Sequence, residues 1–192
     1  MGQRNRMVRA ALGFFTVVMV AAGSSAWAAD GALYNKYNIH SQYAKGVYKA
    51  SYANYVDPGA GHTIFPPNTP LRVGKVSAKR IELYAQKDGK EEQILFEFHE
   101  PRMEMSAEAY LELITSPNPV SLDGLSAVDR EGVAAGKARV GMSRKGVMTA
   151  LGYPATHKTP SPESPSWVYW TNRFGTLRVD FDASGTVVGV TD

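Results

Sequence analysis

Apolar and polar residues alternate with a period of two through most of residues 71–99, which predicts a series of β-strands. The runs 81–85 and 94–98 each place Ile, Leu, Ala or Phe at every second position. Between them, Lys87-Asp88-Gly89-Lys90 predicts a tight hairpin, because Asp-Gly readily adopts the positive φ angles of a two-residue turn. This part of the chain is therefore expected to form an antiparallel sheet.

The period changes to that of an α-helix in three places, each beginning with a serine that is suited to cap a helix. Ser106, Ser126 and Ser143 precede segments whose apolar residues recur three and four positions apart. Gly152 and Pro154 predict the end of the third helix, since glycine accepts a positive φ and proline blocks continuation. The first helix closes the predicted β-rich region, and the other two precede a further group of strands.

Three short strands are predicted after the last helix, in residues 167–170, 177–181 and 186–190. The first has large aromatic residues on both faces, and two short helices cover only one face of a three-stranded sheet. Trp167 and Tyr169 are assigned to the core, and Trp170 with neighbouring Arg173 to the outward face. We expect that face either to be covered by the preceding module or to bind a partner protein.

The predicted elements divide the chain into four segments. Residues 1–28 are a signal peptide, 33–114 a β-rich N-terminal module, 115–124 a proline-containing linker and 125–192 a C-terminal module. The expected fold class is α+β: a small antiparallel β barrel or sandwich followed by a two-layer helix-helix-strand-strand-strand (ααβββ) unit.

The N-terminal residues have the three parts of an export signal. Arginines 4, 6 and 9 precede an apolar run over residues 10–23, and Ala26-Trp27-Ala28 supplies small residues before a cleavage point. The run is shorter than the roughly 20 residues of a membrane-spanning helix, although an uncleaved anchor is the alternative. The expected location is the periplasm, without lipidation and peripheral to the outer membrane.

Composition removes several classes of function. The chain has 21 basic and 18 acidic residues, so loss of the three signal-peptide arginines leaves 18 of each, and no nucleic-acid partner is expected. The sequence contains no cysteine, which excludes disulfides, thiolate metal sites and thiol catalysis. The remaining class is a soluble exported protein whose function depends on side chains other than cysteine.

The C-terminal part resembles the SmpA/OmlA (BamE-like) family of outer-membrane assembly lipoproteins. The matching motifs are Val140-Gly141-Met142-Ser143, Ala150-Leu151-Gly152-x-Pro154, Trp167-x-Tyr169 and Leu177-x-Val179-x-Phe181-Asp182-x-x-Gly185-x-Val187. The resemblance implies an ααβββ fold and a non-enzymatic scaffolding role at the inner face of the outer membrane. Two features depart from the family, namely the missing lipidated cysteine and the presence of residues 33–114.

No pattern of residues indicates catalysis or a cofactor. The four histidines lack the spacing of metal ligands on one element, although distant residues can converge in a fold. Glu97 and Glu100, or Glu91 and Glu92, are adjacent acids of the kind that usually face solvent. Six of the ten tyrosines lie in residues 34–55, where they suit strand formation or, alternatively, stacking on sugar rings.

We therefore expect an exported, non-enzymatic binding or scaffolding protein of the bacterial cell envelope, with a role in outer-membrane protein assembly or envelope integrity. The alternatives are a cell-wall glycan-binding protein that uses the N-terminal β module, and a periplasmic enzyme inhibitor. The expected partners are envelope or outer-membrane proteins, with peptidoglycan as a further candidate. Trp170 and Arg173 are the candidate partner-binding residues, and no catalytic, metal or cofactor residue is assigned.

Overall fold

The structure is a computed structural model that describes residues 32–192. The predicted signal peptide lies outside the described residues. The strands are β1 (Leu33–Asn35), β2 (Ile39–Ala44), β3 (Val47–Ser51), β4 (His62–Phe65), β5 (Pro70–Ser77), β6 (Arg80–Lys87), β7 (Lys90–Glu97), β8 (Thr115–Ser116), β9 (Ser166–Trp170), β10 (Thr176–Phe181) and β11 (Val187–Thr191). The helices are α1 (Glu100–Met103), α2 (Ala107–Ile114), α3 (Ala127–Ala135) and α4 (Arg144–Leu151).

The first eight strands form one curled sheet in the order β4-β2-β3-β7-β6-β5-β1-β8. All its neighbouring strands are antiparallel except β3 and β7, which run parallel. One face is apolar, with Leu71, Ile81, Leu83 and Ile94 fully buried, and Tyr110 of α2 belongs to the same core. The opposite face carries most of the polar side chains of β2, β3, β6 and β7, as strand alternation requires.

Local predictions from the sequence are confirmed at the hairpin and the helix starts. Lys87 pairs with Lys90, and both Asp88 and Gly89 have positive φ. The hydroxyls of the three predicted caps, Ser106, Ser126 and Ser143, each accept a backbone N–H from the first turn of their helix. Gly152 follows α4 with a φ of 86°, but its ψ of 177° is not that of a left-handed helical residue.

The predicted fold class is wrong. The expected small barrel or sandwich is an open, eight-stranded half-barrel, only 18% of the described residues are helical, and the C-terminal part is not a BamE-like ααβββ module. Strand patterns give each strand its faces but not its neighbours, so neither the parallel β3–β7 pair nor the addition of β8 was foreseen. Thr115–Ser116, predicted as linker, forms the edge strand β8.

The C-terminal elements share a second core but are joined to the first half of the chain by backbone hydrogen bonds. The three-stranded sheet has the order β11-β10-β9, and residues 55–57 lie along the free edge of β9. Val56 N–H donates to Trp170 O at 2.9 Å and Asp57 N–H to Thr171 O at 2.8 Å. The side chain of Val56 belongs to the second core. The division into modules 33–114 and 125–192 stays a prediction.

A buried carboxylate joins α3 to the start of α4. Asp129 Oδ1 accepts the Ser143 backbone N–H at 2.7 Å, and Oδ2 accepts the Ser143 hydroxyl at 3.0 Å and the Ser126 N–H at 3.1 Å. Burial raises the pKa of Asp129, but these hydrogen bonds outweigh it, so the pKa lies below its ordinary value. Gly146 lies against this carboxylate, and a Cβ there would overlap Asp129 Oδ1.

We therefore expect Gly146→Ala to destabilise the protein, although alanine normally favours a helix over glycine. Displacing Asp129 breaks several hydrogen bonds at once and should lower the free energy of unfolding by about 2–3 kcal/mol. Urea unfolding measures this, with Gly124→Ala as the control because a Cβ at Gly124 meets only Lys145 Nζ at 3.6 Å. A Gly146→Ala protein as stable as the wild type contradicts the role given to Asp129.

Candidate functional site

A cleft of about 490 Å³ lies on the polar face of the eight-stranded sheet. Alternate residues of β2, β3 and β7 form the floor of the cleft. The loop after β3 forms one wall. The residues that line the cleft include Gln42, Lys49, Ser51, Tyr55, Lys79, Arg80, Leu95 and Glu97, together with His40 and Pro58. The volume is in the range of sites that hold small ligands.

Strand register sets one row of polar groups across the floor. Ser51, Glu97 and Arg80 are neighbours on β3, β7 and β6. Ser51 Oγ donates to Glu97 Oε2 at 3.2 Å and accepts the Ala53 N–H at the same distance. The serine hydroxyl therefore hydrogen-bonds to both a carboxylate and a backbone amide.

The loop wall is fixed to the sheet by one amide side chain. Gln42 Nε2 donates to Pro58 O at 3.1 Å and to Ala60 O at 3.0 Å. Gly61, with a φ of 80°, brings the loop back so close to β2 that a Cβ would lie 2.5 Å from Tyr43 O. Because residues 55–57 also pair with β9, hydrogen bonds hold this wall of the cleft from both sides.

His40, one of the cleft residues, joins the ends of α3 and α4 to the sheet together with Asn38, and His62 contacts it from β4. Asn38 Nδ2 donates to Val133 O and Ala150 O, at 2.8 and 3.0 Å. His40 Nε2 donates to Ala150 O at 2.8 Å, so its Nδ1 accepts from His62 Nε2 at 3.1 Å. The histidines converge because β2 and β4 pair, which their separation in sequence does not reveal.

The cleft has an excess of positive charge. Lys49, Lys79 and Arg80 line it together with one acid, Glu97. Within residues 32–192 none of these three cations forms an ion pair. Burial raises the pKa of Tyr55 at the wall, the Glu97 carboxylate adds to the rise, and the charge of Arg173 opposes it.

The arrangement supports binding by hydrogen bonds and charge. In the described part of the chain, no three histidine, aspartate or glutamate side chains form a group that holds a metal ion. The Ser51 hydroxyl contacts Glu97 rather than a histidine, so it lacks the oriented base of a serine nucleophile. The absence of enzymatic activity stays a prediction.

The two residues predicted to bind a partner have different surroundings. Trp170 is half-buried, packs against the first core and stacks on the His157 ring with centroids 5.4 Å apart. Arg173 is exposed at the tip of the β9–β10 hairpin, beside Phe174, whose side chain is 90% exposed. The structure therefore separates the pair and adds Phe174, which the sequence analysis missed because the residue lies between strands.

Most of the tyrosines between residues 34 and 55 lie away from the cleft. Tyr48 and Tyr52 are buried in the first core, and Tyr43 lies half-exposed on the same face of the sheet, beside Tyr48. Tyr55 alone among them lines the cleft. The sequence analysis missed the remaining cleft residues. Most of them are polar residues at every second position of the strands, so the alternation marks them as facing away from the apolar core.

No protein family, curated protein or solved structure matches this chain. The resemblance of residues 125–192 to the SmpA/OmlA family therefore stays a prediction.

Burial lowers the pKa of His40 to about 4, with the nearby His62 adding a smaller effect and the Ala150 carbonyl opposing it. An unfolded histidine titrates near 6.5, so the unfolded chain binds more protons between these values, and stability must fall as the pH drops through them. Desolvation also lowers the pKa of His62, which acts in the same direction. We expect the His40 contribution to fall by about 2 kcal/mol between pH 7 and pH 5.

The measurement is urea unfolding of wild type and His40→Gln across that pH range. Glutamine keeps a donor for Ala150 O but does not titrate, so the variant should show a flatter pH profile. His62→Gln, at a more exposed position, should flatten the profile less. Parallel profiles for wild type and His40→Gln contradict the assignment.

Proposed function

We propose that the protein is an exported, non-enzymatic binding protein of the bacterial cell envelope, and that its cleft holds a cell-wall glycan. The observation that carries this proposal is the rigid, polar cleft on the sheet, with Gln42 fixing its wall. A preformed site loses little conformational entropy when it binds. The floor offers hydroxyl, amide and charged groups, while Tyr55 and Leu95 supply apolar surface for the faces of sugar rings.

Export is supported by the basic, apolar and small-residue segments of residues 1–28. No helix within residues 32–192 has the length and apolar character needed to span a bilayer. We propose a periplasmic protein that is not lipidated, since the sequence has no cysteine to carry a lipid.

Cell fractionation with N-terminal sequencing should find a periplasmic form that begins near Ala29. The reason is the Ala26-Trp27-Ala28 sequence, which places small residues before the expected cleavage point. Replacing Ala28 by arginine should block processing and leave a longer, membrane-associated form. Recovery of intact Met1 on the wild-type protein in the membrane fraction contradicts the proposal.

Leu95→Trp tests the cleft directly. Leu95 lies half-buried on the floor, while its neighbours Ile94 and Phe96 point into the core. A tryptophan there should fill the cleft and weaken binding to purified peptidoglycan sacculi at least tenfold, on the order expected for a blocked site. Sedimentation with sacculi measures the affinity, and thermal melting checks that the fold is kept.

Leu95→Ala is the size control, because it leaves the cleft open and removes only the apolar contact of Leu95, so it should weaken binding much less than Leu95→Trp does. Tyr43→Ala changes the other face of the sheet and should also bind normally. Equal binding by Leu95→Trp and wild type would show that sacculi, if bound, are held elsewhere.

A second candidate is scaffolding through the β9–β10 hairpin, in line with a role in outer-membrane protein assembly. Arg173 and the highly exposed Phe174 form a pair of residue types common at protein interfaces. Asn172 Oδ1 accepts the Phe174 and Gly175 N–H groups at 2.9 and 3.1 Å, which fixes the tip. The Arg173→Ala/Phe174→Ser variant distinguishes the two candidate functions in the sacculus assay. This variant should bind sacculi like wild type if the cleft alone binds them.

A further inference from the structure

Positive charge extends beyond the cleft into a second, adjoining one. The smaller cleft has a volume of about 220 Å³ and shares Lys79 and Arg80 with the first. It adds Lys75 and one further acid, Glu82. Together the two clefts form a groove, here called the basic groove, with four cations and two carboxylates along its lining.

The cations of the basic groove differ from those elsewhere on the same sheet face. Arg72, outside the groove, pairs with Glu91 at 2.7 Å and lies 4.0 Å over the Tyr84 ring. Inside it, Lys79 and Arg80 belong to none of the ion pairs found in the described part of the chain. The one acid at the floor, Glu97, already accepts a hydrogen bond from Ser51.

The backbone that carries these two cations is fixed. Lys79 O accepts the Phe98 N–H at 3.0 Å, and Arg80 O accepts the Ser77 hydroxyl at 3.1 Å. The turn between β5 and β6 therefore holds Lys79 and Arg80 at the point where the two clefts meet. A ligand that fills both clefts must pass between or over these side chains.

We infer that the basic groove selects an acidic glycan strand, a carboxylate-bearing stretch of peptidoglycan, and that Lys79 and Arg80 are its specificity-determining residues. This inference rests on the proposed function and adds the charge of the ligand to it. A neutral glycan offers these cations only neutral hydroxyl and amide oxygens, whereas a carboxylate accepts stronger, charge-assisted hydrogen bonds from both. Two adjoining clefts that share Lys79 and Arg80 suit a chain better than a single compact sugar.

The test compares native sacculi with sacculi whose carboxylates have been converted to neutral amides by carbodiimide coupling. The whole purified protein should bind the amidated sacculi about tenfold more weakly, the size expected for losing one charge-assisted contact. Lys79→Gln/Arg80→Gln should bind native sacculi about tenfold more weakly and should no longer distinguish the two preparations. The control is Lys90→Gln/Lys158→Gln, which removes the same charge from exposed positions outside the groove and should behave like wild type.

Each outcome decides between the two proposals. Equal wild-type binding to native and amidated sacculi overturns the charge inference and leaves the glycan-binding function standing. Wild-type behaviour by Lys79→Gln/Arg80→Gln also overturns the inference. Tighter binding to soluble poly-glutamate than to sacculi assigns the groove to an acidic polypeptide and overturns the glycan. No binding to either sacculus preparation removes the proposed function itself.

Discussion

The two helices of the second half of the chain end against one strand of the first half, and this contact determines how the rest of the molecule is arranged. The last turn of a helix leaves carbonyl groups without partners, and burying them unpaired is costly. Asn38, just before β2, and His40 on β2 supply the donors, reaching Val133 O and Ala150 O between 2.8 and 3.0 Å. The Asn38 backbone N–H adds a bond to Thr149 O. These polar groups therefore fix α3 and α4 on the sheet.

The cleft follows from that attachment. With the second core held against β2, its strand β9 offers an edge to residues 55–57, and the loop that follows closes over the polar face of the sheet. Gly136, at the end of α3 with a φ of 62°, allows the helix to approach until a Cβ would lie 2.9 Å from His40 Cε1. A site made almost wholly of N-terminal residues thus depends on C-terminal packing for its shape.

Sequence preferences that act over a few residues predicted the local turns and helix starts. The Asp88-Gly89 turn and the serine caps follow from local backbone and hydrogen-bonding preferences, and each is present. Strand pairing is governed by distant residues, so the parallel pair that joins Ala50 to Phe96 was not predictable from alternation. Thr115–Ser116 was assigned to a linker because prolines follow it closely, yet its backbone completes the sheet beside β1. The cleft was missed for the same reason, since its floor brings together positions from about 40 to 97.

The position of β1 has a consequence for the order of folding. This strand lies between β5 and β8, so it can complete its pairing only after residues 70–71 and then 115–116 have become available. The contact from Asn38 to Ala150 spans 112 residues and cannot form until most of the chain is present. Contacts between residues so far apart in sequence slow folding, because the loop they close must be ordered first. The contacts that complete this topology therefore form last, once the segments around residues 35, 70, 115 and 150 are all available to one another.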